Sequence, residues 1–589
     1  MRFVLISLLL ALSAPTFAAA PADLVGLWGN ETMAGPRLSG TVTVDGRQAP
    51  WQASLDGVSA TVKRDGNQVS FAMPGDQGQF RGRLVNGTIT GFWTQPPGQS
   101  LFSAYATPLV LSRGKARTWT GDLRPLPDRV TQYLRFQRAD DGSLKAFLSN
   151  PEFNLGHGLL YDVSVDKDTV VLTDPKRKGW ALNARLDEDS GQLLVNWQGI
   201  GMFAFTRRDR DHAIGYYART PATAQSTVRV PVPADDGWTT ASLRDVNMQA
   251  APMLKLLQHL DSSETPEPGK PVVHGLLVAR HGKLVLENYF HGYAREKAHD
   301  TRSAGKSFAS LLVGMAIDHG AKLSAKTPVL PLFPHYRDIR HMDRNKRAIT
   351  VGDLMDMSSG LACDDNDSSS PGSEDTMQRQ HDEHDWYRYT LDLPMLQKPG
   401  ADKAVYCSAG INLLGGVVRQ ATGRRLTELF RDWIARPMQM RGYHINLMPT
   451  GDAYLAGGVR MRPRDMLKLG QLYLDGGVWN GQRLVDEDWI KASVTRHTTF
   501  GPNHDYGYAW HLHTFRVAGH DYREYAAEGN GGQFVIVVPE LDLVVAITAG
   551  SYGQFSVWYP LQNLVSDYVI PSVLQGDSAA KTDTGHIDE

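Results

Sequence analysis

A serine and a lysine three positions apart, in Ser303-Ala304-Gly305-Lys306, are the pair in this chain best placed to do chemistry. On a helix that spacing puts a hydroxyl and an amine on one face, one turn apart. A serine attacks a carbonyl at neutral pH only when a neighbouring base takes its proton, and a lysine serves as that base once burial and positive surroundings lower its pKa. The four-residue pattern arises by chance in most chains of this length, so its surroundings decide its weight.

Those surroundings favour a site. His299-Asp300-Thr301-Arg302 is polar and turn-like, whereas Phe308, Leu311, Leu312 and Met315 recur at helical spacing and predict a helix that begins near Ser303 and buries one side. The serine then stands at a helix N-terminus. There the unpaired N–H groups and the dipole favour the negative charge that builds on a carbonyl oxygen under attack.

The 589-residue chain carries 61 Lys and Arg against 63 Asp and Glu and is 42% hydrophobic, a balance that fits a globular protein of several domains. It lacks the basic excess or Lys/Arg stripe of a nucleic-acid binder. Arg2, the mostly apolar run from Phe3 to Leu12, and Ala18-Ala19-Ala20 after Pro15 read as a secretory signal peptide over residues 1–20, which predicts a periplasmic or secreted protein. The run falls short of the ~20 residues of a membrane span. With no cysteine at the cleavage region to take a lipid, no stable membrane anchor is expected.

From about 22 to 215 short alternating runs such as Gly40-Thr41-Val42-Thr43-Val44 and Thr169-Val170-Val171-Leu172 are separated by turns at Asp45-Gly46, Asn86-Gly87 and Ser190-Gly191, the pattern of an all-β region. Leu27-Trp28-Gly29 recurs as Trp119-Thr120-Gly121. Arg83-Leu84 with Trp93 and Gln95 recurs as Arg185-Leu186 with Trp197-Gln198. The period predicts two repeated barrel or sandwich modules, 21–115 and 116–215, whose tryptophans are core rather than ligand platform. Pro221, Pro231 and Pro233 mark a connector at 216–235.

Beyond it the pattern is α+β over 236–575. A helix is expected at Met253–Leu260 and a hairpin at Gly275–Arg280 and Lys283–Tyr289. Helices are expected near Val351–Met357, Asn412–Thr422, Leu426–Ala435, Pro463–Leu474 and Glu487–Val494. Strands follow at Tyr506–Leu512, Asp521–Tyr525, Gln533–Val538 and Leu543–Thr548, with a last helix at Val557–Val569 and a disordered tail at 576–589. Strands at both ends with helices between them imply an antiparallel sheet closed by distant segments and interrupted by a helical insertion.

Three motifs stand in order: Ser303-Ala304-Gly305-Lys306, Tyr406-Cys407-Ser408 about a hundred residues on, and Gly529-Asn530-Gly531-Gly532-Gln533 on a late strand. Together they resemble the signature of class C β-lactamases, penicillin-binding enzymes and related serine hydrolases. The wording His299 to Ser307, Tyr406-Cys407-Ser408-Ala409-Gly410 and Tyr506-Gly507-Tyr508-Ala509-Trp510 is similar to the branch of 6-aminohexanoate-oligomer hydrolases and esterases. The resemblance spans roughly 236–572.

It implies the class C β-lactamase-like fold and an acyl-enzyme at Ser303, with Lys306 and the Tyr406 phenol as a coupled general base and acid. It also implies an oxyanion hole from the backbone N–H groups of Ser303 and Asn530, and substrate contacts at Ser408, Gly529 and Gly531. The substrate is expected to be a small amide or ester, with no cofactor and no metal. A D-amino-acid peptidase of penicillin-binding type and a non-catalytic envelope-binding protein on the same scaffold remain alternatives.

The third motif departs from the family, which usually carries lysine or histidine before its threonine-glycine to face a substrate carboxylate; here the stretch is Ala527-Glu528-Gly529. Weak action on β-lactams and a preference for neutral or cationic substrates are expected, with Arg523 or His520 as conceivable substitute cations. The acidic loop Cys363 to Asp367 with Glu374-Asp375 reads as solvated or as an attractor for an amine-bearing substrate. His381-Asp382-Glu383-His384 lacks metal-ligand spacing. Whether Cys363 and Cys407, the two cysteines, pair is open from sequence, as is the oligomeric state.

Overall fold

A computed structural model describes residues 24–98, 101–152, 160–187, 189–197, 201–219, 225–262 and 267–584. The expected signal peptide lies outside the described residues. No helix among those described is long and apolar enough to cross a membrane.

The carboxyl-terminal region is built on a nine-stranded sheet that places Val273–Arg280 beside Leu543–Ala549. Leu276 pairs with Ile547 and Val278 with Val545, so segments far apart in sequence close the sheet as expected. Gln533–Val538 and Leu543–Ala549 are buried on both faces, and the period of two divides their side chains. Phe534, Ile536, Val545 and Ile547 pack with Leu256 and Leu257 of the helix Ala250–Ser262 and with Val573 of Ile570–Thr584. Val535, Val537, Val544 and Ala546 pack on the other face with Leu467 and with Phe308 and Leu311 of the helix Lys306–Asp318. That helix is buried all round from Lys306 to Ala316, which is why its sequence is apolar on more than one stripe.

Two expected elements differ. The strand predicted over Tyr506–Leu512 is broken into His504–Tyr506 and His511–Val517, because Gly507 N–H closes a turn on the Trp510 carbonyl and Ala509 adopts a φ of 59°. Of the tail expected to be disordered at 576–589, residues 576–584 continue the helix Ile570–Thr584, and 585–589 lie outside the described residues. Buried Arg280 holds that helix through Asp577 at 2.9 Å.

The amino-terminal region is all β, but its strands divide differently from a cut at 115/116. Gly26–Gly35 pairs with Asp128–Arg138, from Gly26↔Phe136 to Gly35↔Asp128, and with Gly201–Arg207, closing a barrel with the strands from 144 to 197. The strands from Gly40–Asp45 to Thr118–Leu123 form a second unit inserted into the first. Sequence similarity between hairpins does not reveal which strand closes which sheet. The predicted turns Asn86-Gly87 and Ser190-Gly191 do join hairpins, Gln79–Val85 with Thr88–Gln95 and Ala181–Asp187 with Gln192–Trp197. Trp28, Trp93 and Trp119 are core side chains.

The second unit is not tethered by the connector alone. Its strand Ala104–Arg113 pairs with His444–Leu447, which pairs with Val459–Met461, which pairs with His299–Asp300, the residues leading into Ser303.

Candidate active site

Ser303 sits in a single 3-10 turn, Arg302–Gly305, that runs into the helix Lys306–Asp318. The turn is held from three sides. Thr301 N–H and Oγ1 both donate to the Val459 carbonyl, at 3.1 and 2.7 Å. Asp300 accepts the Arg302 N–H at 3.0 Å and lies 3.2 Å from both the Arg302 and Arg460 guanidinium groups. Arg302, immediately before the serine, adopts a φ of 47°, a conformation that a non-glycine residue holds only when its surroundings impose it.

Glycines let the backbone close in. A Cβ at Gly529 would lie 2.5 Å from the Thr301 carbonyl and 3.1 Å from the Ala304 nitrogen, so the strand His520–Gly529 runs directly against the serine turn. Gly457, at a φ of 140°, presses in the same way on the Arg302 carbonyl. Gly531 serves a different purpose: its φ of 94° makes the turn after this strand, and a Cβ there would strike the Tyr552 ring.

Lys306 is buried, with Nζ 2.8 Å from Ser303 Oγ and 2.7 Å from the Ala456 carbonyl. Burial lowers its pKa, opposed by the negative charges of Glu374 and Asp365. Its Nζ stands 5.0 Å from the centre of the Tyr406 ring. Burial raises the Tyr406 phenol well above its ordinary value, and a side-chain hydrogen bond with Ser303 opposes that rise. Ser303 and Tyr406 stay partly exposed while Lys306 is buried. The three side chains singled out by sequence therefore converge.

Tyr406 is fixed by its neighbours. Its carbonyl accepts the Asp365 N–H at 2.9 Å, and the next residue, Cys407, forms a disulfide with Cys363. Asp365 Oδ2 accepts the Ser408 N–H at 2.9 Å, and Oδ1 accepts the Glu374 N–H at 2.7 Å. Burial, then Glu374, pushes Asp365 up to about 6. Glu374 in turn accepts the Tyr454 hydroxyl at 2.6 Å. The loop that read as solvated thus turns two carboxylates inward beneath the lysine, while Asn366 and Asp367 remain exposed.

Other expected positions are placed less directly. Ser408 is completely buried, and the hydrogen bonds of Lys306 Nζ go to Ser303 and Ala456. Asn530 is exposed just beyond Gly529, its side chain accepting the Gly553 N–H at 2.8 Å. Ala527 is buried in the core, and Glu528 is paired with His513 at 2.9 Å rather than standing as a free anion. His520 is exposed and pairs with Glu540; Arg523 is exposed as well. His381, Asp382 and His384 face solvent.

Sequence reasoning missed the carbonyl of Ala456 and the histidines at 504, 511 and 513. The ring of His511 lies 6.3 Å from that of Tyr406. Alternation along His511-Leu512-His513 was the available signal, obscured by the strand break before it.

Residues 271–556 match the family model described as Beta-lactamase. A 6-aminohexanoate-dimer hydrolase of Paenarthrobacter ureafaciens is 27% identical over 226 residues, covering 37% of this chain and 55% of the relative. The match thus spans about half the length of that curated relative. Among solved structures, a penicillin-binding protein from Bacillus halodurans is 17% identical with a TM-score of 0.40, covering 54% of this chain and 100% of its own. A D-stereospecific amidohydrolase from Streptomyces sp. is 16% identical with a TM-score of 0.39, covering 49% and 93%. The matched segment encloses the Ser303 turn, the Tyr406 loop and the Gly529 strand, so residues 271–556 form a domain of the β-lactamase and penicillin-binding-like serine hydrolase superfamily.

Proposed function

We propose that this protein is an exported serine hydrolase that cleaves a small amide or ester through an acyl-enzyme on Ser303. The observation that carries the reading is the 2.8 Å contact between Lys306 Nζ and Ser303 Oγ. Burial favours the neutral amine, whose lone pair takes the hydroxyl proton as Oγ attacks the carbonyl carbon. The Tyr406 phenol, held protonated by burial, gives its proton to the leaving alcohol or amine as the acyl bond breaks, and Lys306 passes the proton it took from Ser303 to the resulting phenolate. Water then attacks the acyl-enzyme along the same proton path in reverse.

The N–H groups of Ser303 and Asn530 are the proposed oxyanion donors, supported by the close approach of Gly529 to the serine turn. Ala527 supplies no cation for a substrate carboxylate, which favours simple esters and amides over β-lactams and D-peptides. Export is supported by the apolar amino-terminal run and by the Cys363–Cys407 disulfide, a bond that persists in oxidising compartments. Hydrolysis of a p-nitrophenyl ester, an aminohexanoate dimer, a cephalosporin and a D-alanyl dipeptide tests the reading. Ser303→Ala should abolish turnover of the first two, and rapid cephalosporin turnover would overturn the substrate assignment.

A further inference from the structure

The strands His504–Tyr506, His511–Val517 and His520–Gly529 bring imidazoles and carboxylates together near Tyr406. Tyr506 is paired with His511 and His513 with Glu524. Residues two apart share a face, so His504, His511, His513, Glu524 and Glu528 converge.

Their donor atoms are close. One nitrogen from each of His504, His511 and His513 lies within 4.8 Å of the others, and His504 Nε2 is 2.8 Å from His511 Nδ1. Glu528 Oε1 is 2.9 Å from His513 Nε2, and its Oε2 is 4.0 Å from His511 Nδ1. Zinc bonds of ~2.0 Å in a tetrahedron set neighbouring donors about 3.3 Å apart, within the spread of these distances.

We propose that His504, His511 and His513, with Glu528 as fourth donor, form a site for a zinc-class divalent cation beside Tyr406. Imidazole nitrogens with one carboxylate suit zinc and its transition-metal neighbours rather than calcium or magnesium, which take oxygen ligands. His513 Nδ1 faces the Asn503 carbonyl at 3.4 Å, the outer partner that leaves Nε2 for a metal.

A hydrogen-bonded network alone accounts for the His513–Glu528 pair but leaves a remainder. Glu524, only 3% exposed, has neither carboxylate oxygen hydrogen-bonded. A buried carboxyl without a hydrogen-bond partner is costly, and a cation in the cluster beside it would offer its oxygens a partner. Through His511, whose ring lies 6.3 Å from that of Tyr406, the ion stands next to the proposed catalytic phenol without taking part in the serine chemistry.

The test uses the full-length protein without a histidine tag, stripped with a chelator and titrated with Co2+ and then Zn2+. The visible absorption of tetrahedral cobalt should saturate at one equivalent per chain and be displaced by zinc. His504→Ala and His513→Ala should weaken zinc binding beyond the ~10–100-fold that losing an outer-sphere partner costs. His520→Ala, at an exposed position on the same sheet, should leave it unchanged. Absence of saturable one-to-one binding by the wild-type protein overturns the proposal whatever the variants do, as does full affinity in folded His504→Ala and His513→Ala proteins.

Discussion

Ala106 of the amino-terminal region pairs in antiparallel register with Ile445 of the hydrolase region, and the sheet so joined continues through Val459–Met461 to Asp300, three residues before Ser303. The inserted β unit is therefore part of the scaffold that sets the serine turn. At the same junction buried Thr107 Oγ1 meets His444 Nδ1 at 2.8 Å. Replacing Thr107 with valine leaves that imidazole nitrogen unpaired and should cost about 1–3 kcal/mol, read as a lower denaturation midpoint. Unchanged stability would mean the junction is not a shared fold.

Gly529→Ala tests the approach of strand to serine. The added carbon would lie 2.5 Å from the Thr301 carbonyl, and neither backbone can yield without moving Ser303 or the proposed oxyanion donors. Displacements on the order of 1 Å cost about 100-fold in rate, so kcat should fall by that order. A variant with full kcat would remove Gly529 from the site.

Asp365→Asn should move the pH profile of kcat/KM towards acid. The Asp365 charge raises the pKa values of both Lys306 and Tyr406. Removing it lowers both, so the amine becomes available as a base at lower pH and the phenol loses its proton at lower pH. Both limbs shift in the same direction. An acid limb that stays in place or moves towards alkali would contradict the role assigned to Lys306.

The disulfide closes a loop across a sequence separation of 44, bringing Asp365 and Tyr406 together. Chain-entropy estimates put the stabilisation from a loop of that size at about 4 kcal/mol. The double variant Cys363→Ser, Cys407→Ser should therefore melt several degrees lower and lose turnover, because Tyr406 sits next to Cys407. Equal melting with and without the bond would show that the loop is held by Asp365 alone.

Ser303 and Lys306 were legible because the chemistry itself requires their spacing on a helix, and Tyr406 because Tyr406-Cys407-Ser408 resembles a family motif. The strand Gln533–Val538 was legible from its β-branched run, and the helix Pro463–Leu474 from its apolar spacing, although burial of Arg464, Asp465 and Lys468 on that helix was not. What stayed hidden depends on pairing between distant segments. Gly26–Gly35 carries no mark that its partner is Asp128–Arg138 rather than the strand that follows it. The inward turn of Asp365 and Glu374 is set by the Ser408 N–H and the Tyr454 hydroxyl, and nothing in an acidic, serine-rich loop announces those partners.

Peptide-resolved mass spectrometry of the protein quenched during ester turnover tests the Ser303 acyl-enzyme most directly. An acyl mass confined to the peptide containing Ser303, slow to appear in Lys306→Ala and absent in Ser303→Ala, is the expected result. An acyl group on another residue, or ester hydrolysis undiminished in Ser303→Ala, would contradict it.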